Sequence, residues 1–181
     1  MNADDGGSQY ELVLMATLIG NYWVRSMRRT WEHFNGDLAM AFVLGEIAVY
    51  NVSQLHVSPE ACRSLPQRLR EGRLHELLKP CNAYSIAEAT GMPRETVRRK
   101  FGLLEQQDWI TRVPEGGFIV STRCVDHAWR DTYPAAFHEL MATVCLLRMH
   151  LPGHWFAAPD GLTTTATGHA LRSNEGKNNK A

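Results

Sequence analysis

Apolar residues recur at helical spacing through most of the chain. Between Gln9 and about Trp31 no proline intervenes, and Leu12, Met15, Ile19, Tyr22 and Trp23 follow one another at that spacing, which predicts one long helix. It ends on Arg25, Arg28 and Arg29, cations that suit a helix C-terminus. Residues 1–8, polar and glycine-containing, are expected to fray. Asn35-Gly36 breaks the pattern, and Asp37 is placed to cap a second helix from Leu38 to about Leu55. That helix is apolar nearly all round as far as Tyr50, so it needs cover on more than one side. The rest of the chain or a partner subunit would supply the cover equally well.

A third helix is expected from near Pro66 to Lys79, stopping before Pro80. From Asp126 to His150 the pattern is again helical, with Leu140, Val144, Leu147 and Leu151 forming a stripe. Pro134 either kinks this helix or starts a new one. Residues 159–181 hold few large apolar groups and are expected to be a disordered tail.

The stretch Tyr84 to Ser121 is organised differently. Ser85-Ile86-Ala87-Glu88 has the form of a capping box, with Ser85 the cap and Glu88 reaching back. Gly91 follows where a sharp turn needs positive φ, and Pro93 pre-sets φ for the first turn of a new helix, 93–107. Helix, short turn with glycine and helix make a helix-turn-helix pattern. Trp109 to Val113 alternates like a strand, Pro114-Glu115-Gly116-Gly117 is a turn signal, and Phe118-Ile119-Val120 is a second strand. The hairpin 109–121 reads as a wing. The expected fold is therefore mainly α with a small β-hairpin: a winged helix-turn-helix with additional N- and C-terminal helices. Its parts would be a helical dimerisation region over 1–60, the winged domain over 61–122, a C-terminal helix packing on the body over 123–158, and the tail.

On helix 93–107, with Arg94 at zero and about 100° per residue, Arg98 falls at about 40°, Glu95 at about 100° and Arg99 at about 140°. Leu104, Val97 and Phe101 fall at about 280°, 300° and 340°, so one face is apolar and the opposite arc is charged. Arginine's planar fork matches guanine O6 and N7 or a phosphate, and glutamate accepts from cytosine N4. Such groups at the start of a helix suit reading of a major groove. Glu95 has a second reading, pairing with Arg98 or Arg99 on its own helix. Arg112 is the wing cation placed to meet backbone or minor groove; a plain surface strand position explains it equally well.

Composition and charge narrow the picture. The 181 residues carry 19 basic and 19 acidic side chains, so any cationic surface must be local. Residues 61–112 hold ten basic side chains (Arg63, Arg68, Arg70, Arg73, Lys79, Arg94, Arg98, Arg99, Lys100, Arg112) against six acidic ones, a local excess of +4. The most apolar stretch, Leu38 to Val52, is shorter than the ~20 residues a bilayer core needs, and Glu46 interrupts it. No membrane partner is expected. The N-terminus lacks the cationic start and apolar run of a signal peptide. Four dispersed cysteines form no CxxC pair, which points to a reducing cytoplasm with free thiols.

Met92-Pro93-Arg94-Glu95-Thr96-Val97 with Arg99 resembles the recognition helix of the catabolite-activator (cyclic-AMP receptor) family. Leu104-Glu105-Gln106-Gln107-Asp108-Trp109-Ile110 is similar to the helix exit and first wing strand of that family and of the GntR and MarR families. The resemblance covers about forty residues, not the whole chain. It implies that Arg94, Glu95 and Arg99 read bases and that Thr96 touches phosphate. The chain departs from it twice. Pro93 replaces the usual cap serine, and residues 1–60 look helical rather than like a β-rich cyclic-nucleotide-binding domain.

The expected function is sequence-specific recognition of double-stranded DNA by a homodimeric transcriptional regulator. The DNA-binding residues would be Arg94, Glu95, Thr96, Arg98, Arg99 and Arg112. A protein-interaction module without a DNA role is the alternative. An enzyme with scattered catalytic groups is a weaker third reading, since no GxSxG, Walker A, HExxH or GxGxxG motif occurs. No catalytic role, cofactor or metal is expected. His150 and His154 are four apart, but Leu151-Pro152-Gly153 between them prevents a shared helix face. Tyr22, Trp23, Trp31 and Phe34 would line a pocket for a small-molecule effector or pack in the core, and core packing is the expectation.

Overall fold

A computed structural model of the chain describes residues 3–53, 55 and 59–157. The expected tail over 159–181 lies outside the described residues. The described residues are mainly helical, with a two-stranded antiparallel hairpin. Helix α1 (Ala3–His33) leads to α2 (Leu38–Val52), α3 (Pro59–Arg70), a 3₁₀ turn (Leu74–Glu76), α4 (Ala83–Thr90) and α5 (Arg94–Gln106). The strands β1 (Ile110–Arg112) and β2 (Phe118–Val120) follow, then α6 (Thr122–His127), a π turn (Ala128–Thr132) and α7 (Tyr133–His150).

The core is built around α2. Met40, Val43, Leu44 and Ile47 are buried with Ile86 and Ala87 of α4, Val97, Phe101 and Leu104 of α5, and Ile110, Ile119 and Val120 of the hairpin. The chain itself covers one face of the all-round apolar helix: α2, which the sequence groups with the N-terminal region, packs with α4, α5 and β2, while Phe42 and Val49 stay exposed. Its N-terminus is held as expected, with the Asp37 carboxylate accepting from the Met40 N–H at 2.9 Å. Its C-terminal turn carries Asn51, which is fully buried. The Asn51 amide donates to the carbonyls of Lys79 (2.7 Å) and Phe118 (3.2 Å) and accepts from the Val120 N–H (2.9 Å). Buried polar groups must be paired, and here the pairing fixes α2 to the sheet. Cys81 extends the hairpin with a reciprocal backbone pair to Phe118, at 3.0 and 2.8 Å. Gly117 adjoins that pair at φ +93°, where an added Cβ would lie 2.9 Å from the Cys81 carbonyl oxygen.

Several local expectations are corrected. Helix α1 begins at Ala3, so residues 3–8 continue the helix rather than fray. The cap of α4 is Asn82, not Ser85: the Asn82 side chain accepts from the Ser85 N–H at 2.9 Å, and the Ser85 hydroxyl accepts from the Asn82 N–H at 3.4 Å. Asparagine caps as well as serine does, and the earlier start gives the short helix one more turn. The third helix starts at Pro59, where a proline costs no hydrogen bond, contains Pro66, and ends at Arg70 rather than Lys79. Pro134 starts the last helix, one of the two outcomes expected of it, as the second residue of α7. The turn before it widens, with the Tyr133 N–H donating to the Ala128 carbonyl five residues back, which accommodates the ring and the missing donor.

Helix α1 packs along α7. Trp155 donates to Glu11 at 2.7 Å and Arg29 pairs with Glu139, so the two helices run antiparallel. This pair has almost no interior. Among its described residues none of α1 is buried, and α7 buries only Thr143.

Candidate nucleic-acid interface

Helices α4 and α5 are joined by Gly91, Met92 and Pro93. Gly91 takes φ +69° and its N–H donates to the Ala87 carbonyl, closing α4 with a left-handed residue. Pro93 stands at the N-cap of α5 and provides no side-chain cap. Val97, Phe101 and Leu104 anchor α5 in the core, with Phe101 edge-on to Phe118 at 5.3 Å. The opposite arc is thereby turned outward: Arg94, Glu95, Arg98 and Arg99 are exposed and Thr96 is half-buried.

These side chains are not equally free. Arg94 lies over the Tyr84 ring at 4.2 Å and pairs with Glu88 at 3.3 Å, so it bridges the two helices across their turn. Glu95 and Arg98 form a two-point pair at 2.8 and 2.6 Å. The hydrogen bonds from Arg98 hold the Glu95 carboxyl below its ordinary range, and they raise the Arg98 guanidinium in turn. Among the described residues Arg99 forms no hydrogen bond or ion pair; it lies within electrostatic reach of Glu95 and Asp37. Arg112, on β1, lies over the Phe118 ring at 4.6 Å with Glu105 3.8 Å away, so the hairpin holds its guanidinium flat against one strand.

Lys100 does not belong to the cationic surface. It is buried and paired with Asp37, the cap of α2. Burial pushes the Asp37 carboxyl up, but the bonds from Lys100 and the Met40 N–H, with the charges of Lys100 and Arg99, outweigh it and leave it below the usual carboxylate range. The pair locks the start of α2 to the middle of α5. Its signal was present in the sequence: Lys100 falls at about 240° on the helix, on the border of the apolar arc. Arg123 is a cation that the sequence reading passed over. Its guanidinium donates to the Gln107 carbonyl at 2.8 Å and lies 5.4 Å from the Trp109 ring, beside the exit of α5. No sequence period links Tyr84 to Arg94 or Arg123 to Gln107, because each pair forms across a turn.

Among the described residues no group of three or more His, Cys, Asp or Glu could hold a metal ion. The four cysteines are free thiols, and burial pushes Cys81 up to about 12 and Cys124 up to about 11. Among the described residues no helix is long and apolar enough to cross a membrane. No protein-family model matches the chain, and no curated protein or solved structure matches it either.

Proposed function

We propose that this chain is a winged helix-turn-helix transcriptional regulator that binds double-stranded DNA as a homodimer, with α5 in the major groove and the β1–β2 hairpin as the wing. The observation that carries the reading is α5 itself. Its apolar face is sunk in the core, while Arg98, Arg99 and Glu95 project from its N-terminal half. Arg99 is the free guanidinium for a base edge. Arg98 and Glu95 exchange their mutual pair for contacts to bases or phosphate when a duplex arrives. Arg112 and Arg123 flank the helix exit for the backbone.

The dimer rests on α1. Setting Tyr10 at zero, Glu11, Leu14, Leu18, Tyr22 and Arg29 fall between about 40° and 120° and share the face that meets α7. Leu12, Val13, Ile19, Trp23, Val24, Met27 and Trp31 fall between about 180° and 320° and are all exposed. An apolar strip of that length offers area of the order a specific dimer needs, about 800 Å² per partner. A second copy of the same strip supplies cover of matching chemistry. Two recognition helices so held would address half-sites ~34 Å apart.

Selection from a random duplex library tests the whole reading. Enrichment of a palindrome is expected, with binding that falls steeply as salt is added because phosphate counterions are released. A library that returns no enriched sequence at low salt would refute it. One observation favours a second reading, a protein-interaction module. Glu88 and Glu95 already pair with two of the three outward arginines, and Lys100 is internal. That module would retain no duplex of any sequence.

A further inference from the structure

A cavity of about 640 Å³ opens between α1, α2 and the α6–π–α7 segment. We propose that it is a binding site for an uncharged, planar aromatic small molecule.

Three walls enclose it, and two of them, the small-residue face of α2 and a ring cluster, point there. On α2 the wall is made by Ala41, Gly45 and Ala48, and an added Cβ at Gly45 would meet nothing within 4 Å. The space is therefore open directly above the helix backbone. Facing it is the π turn Ala128–Thr132. Pro134 accounts for the turn itself, and the widened backbone forms this wall. The third wall is a ring cluster. His33 and His127 stack at 4.6 Å and 13°, and Trp109 stands edge-on to both at 5.3 and 5.6 Å.

The chemistry of these walls selects the ligand. The volume lies within the range of small-molecule sites, roughly 300–1,000 Å³. Flat ring faces and edges favour a planar aromatic partner through offset or edge-on stacking. The polar groups at the walls are engaged: Arg29 pairs with Glu139, and the His127 Nδ1 lies 3.1 Å from the Asp131 carboxylate. An anionic ligand would find no free counter-charge there, whereas a neutral one displaces nothing. On α2 the site's Ala41, Gly45 and Ala48 lie off the face of Val43 and Ile47 that meets the core, with Leu44 bordering both. The site requires no duplex, so it stands or falls apart from the DNA reading.

The test uses the full chain and the neutral fluorophore N-phenyl-1-naphthylamine as probe. Wild type and G45A should bind it, and G45L, which fills the cavity, should bind about tenfold more weakly or worse. F137S, on the exposed face of α7, should bind as wild type does. A second variant guards against misfolding of G45L. In G45C, saturating probe should slow alkylation of the introduced thiol by N-ethylmaleimide, relative to the exposed Cys145, as read by peptide mass mapping. Failure of the wild type to bind the probe would overturn the proposal. So would undiminished binding by a folded G45L, loss of binding in F137S instead, or unslowed alkylation in G45C.

Discussion

The segment from Leu38 to Cys124 and the α1/α7 pair are both rich in large apolar side chains, but they dispose of them in opposite ways. The first turns Val43, Ile47, Ile86, Val97 and Leu104 inward until nothing of them is accessible. The second holds Trp23, Trp31, Tyr133, Phe137 and Met149 more than half exposed. Two antiparallel helices have one seam between them, and a helix carrying apolar residues over much more than half its circumference cannot bury them all in one seam. The difference separates a unit with a closed core from one whose apolar surface stays open in the single chain.

The comparison would break first at the core. Phe101→Ala should destabilise the protein by about 3–5 kcal/mol, because the ring is buried between α2, α4 and the hairpin. Urea unfolding followed by circular dichroism measures it. A loss near zero would mean that α5 is not anchored where its outward face requires.

Trp23 gives the converse result. Trp23→Ala should weaken self-association by about 2 kcal/mol, the size expected of an aromatic at the centre of an interface. Sedimentation equilibrium over a concentration series is the measurement. Since the ring is 61% exposed in the single chain, a protein monomeric at every concentration would leave the α1 strip without the proposed occupant. Next comes Arg99→Ala, which should weaken a selected duplex by about 1–3 kcal/mol and relax preference at one base position. An Arg99→Ala protein of unchanged affinity and preference would remove Arg99 from the reading surface.

The division of α5 into inner and outer faces was legible in the sequence, because helical periodicity alone sorts Val97, Phe101 and Leu104 from Arg94, Arg98 and Arg99. The Asp37 cap, the hairpin and its glycine turn were legible for the same reason: each is a local rule satisfied by neighbouring residues. What escaped was set by contacts distant in the chain. Asn51 looks like the polar end of an apolar helix, and only the approach of Lys79, Phe118 and Val120 makes it a buried clamp. Lys100 counted as surface charge until Asp37, on another helix, met it. The cover of α2 was left open between the chain and a partner because periodicity says that a face is apolar, not what lies against it.

The smallest effect lies where the two regions meet. The His33 ring, near the end of α1, meets the rings of Phe34, Trp109 and His127 on one side and stays exposed on the other. The ionisable groups around it are His127 from α6, Asp131 from the π turn, which His127 engages, and Arg29 and Glu32 from its own helix. Burial, and then the proximity of His127, lower its pKa below the ordinary 6.5. The folded protein therefore holds His33 neutral where the unfolded chain begins to take up a proton. The stability this represents is present above about pH 6.5 and is lost as pH falls through the lower folded value, beyond which it stays flat. Unfolding free energies measured from about pH 8 down to about pH 5 should decline for the wild type. They should decline less steeply for His33→Gln, which cannot titrate. Equal slopes in the two proteins would show that the ring cluster does not restrain protonation. The joint between α1 and the core unit would then be looser than the stacked geometry implies.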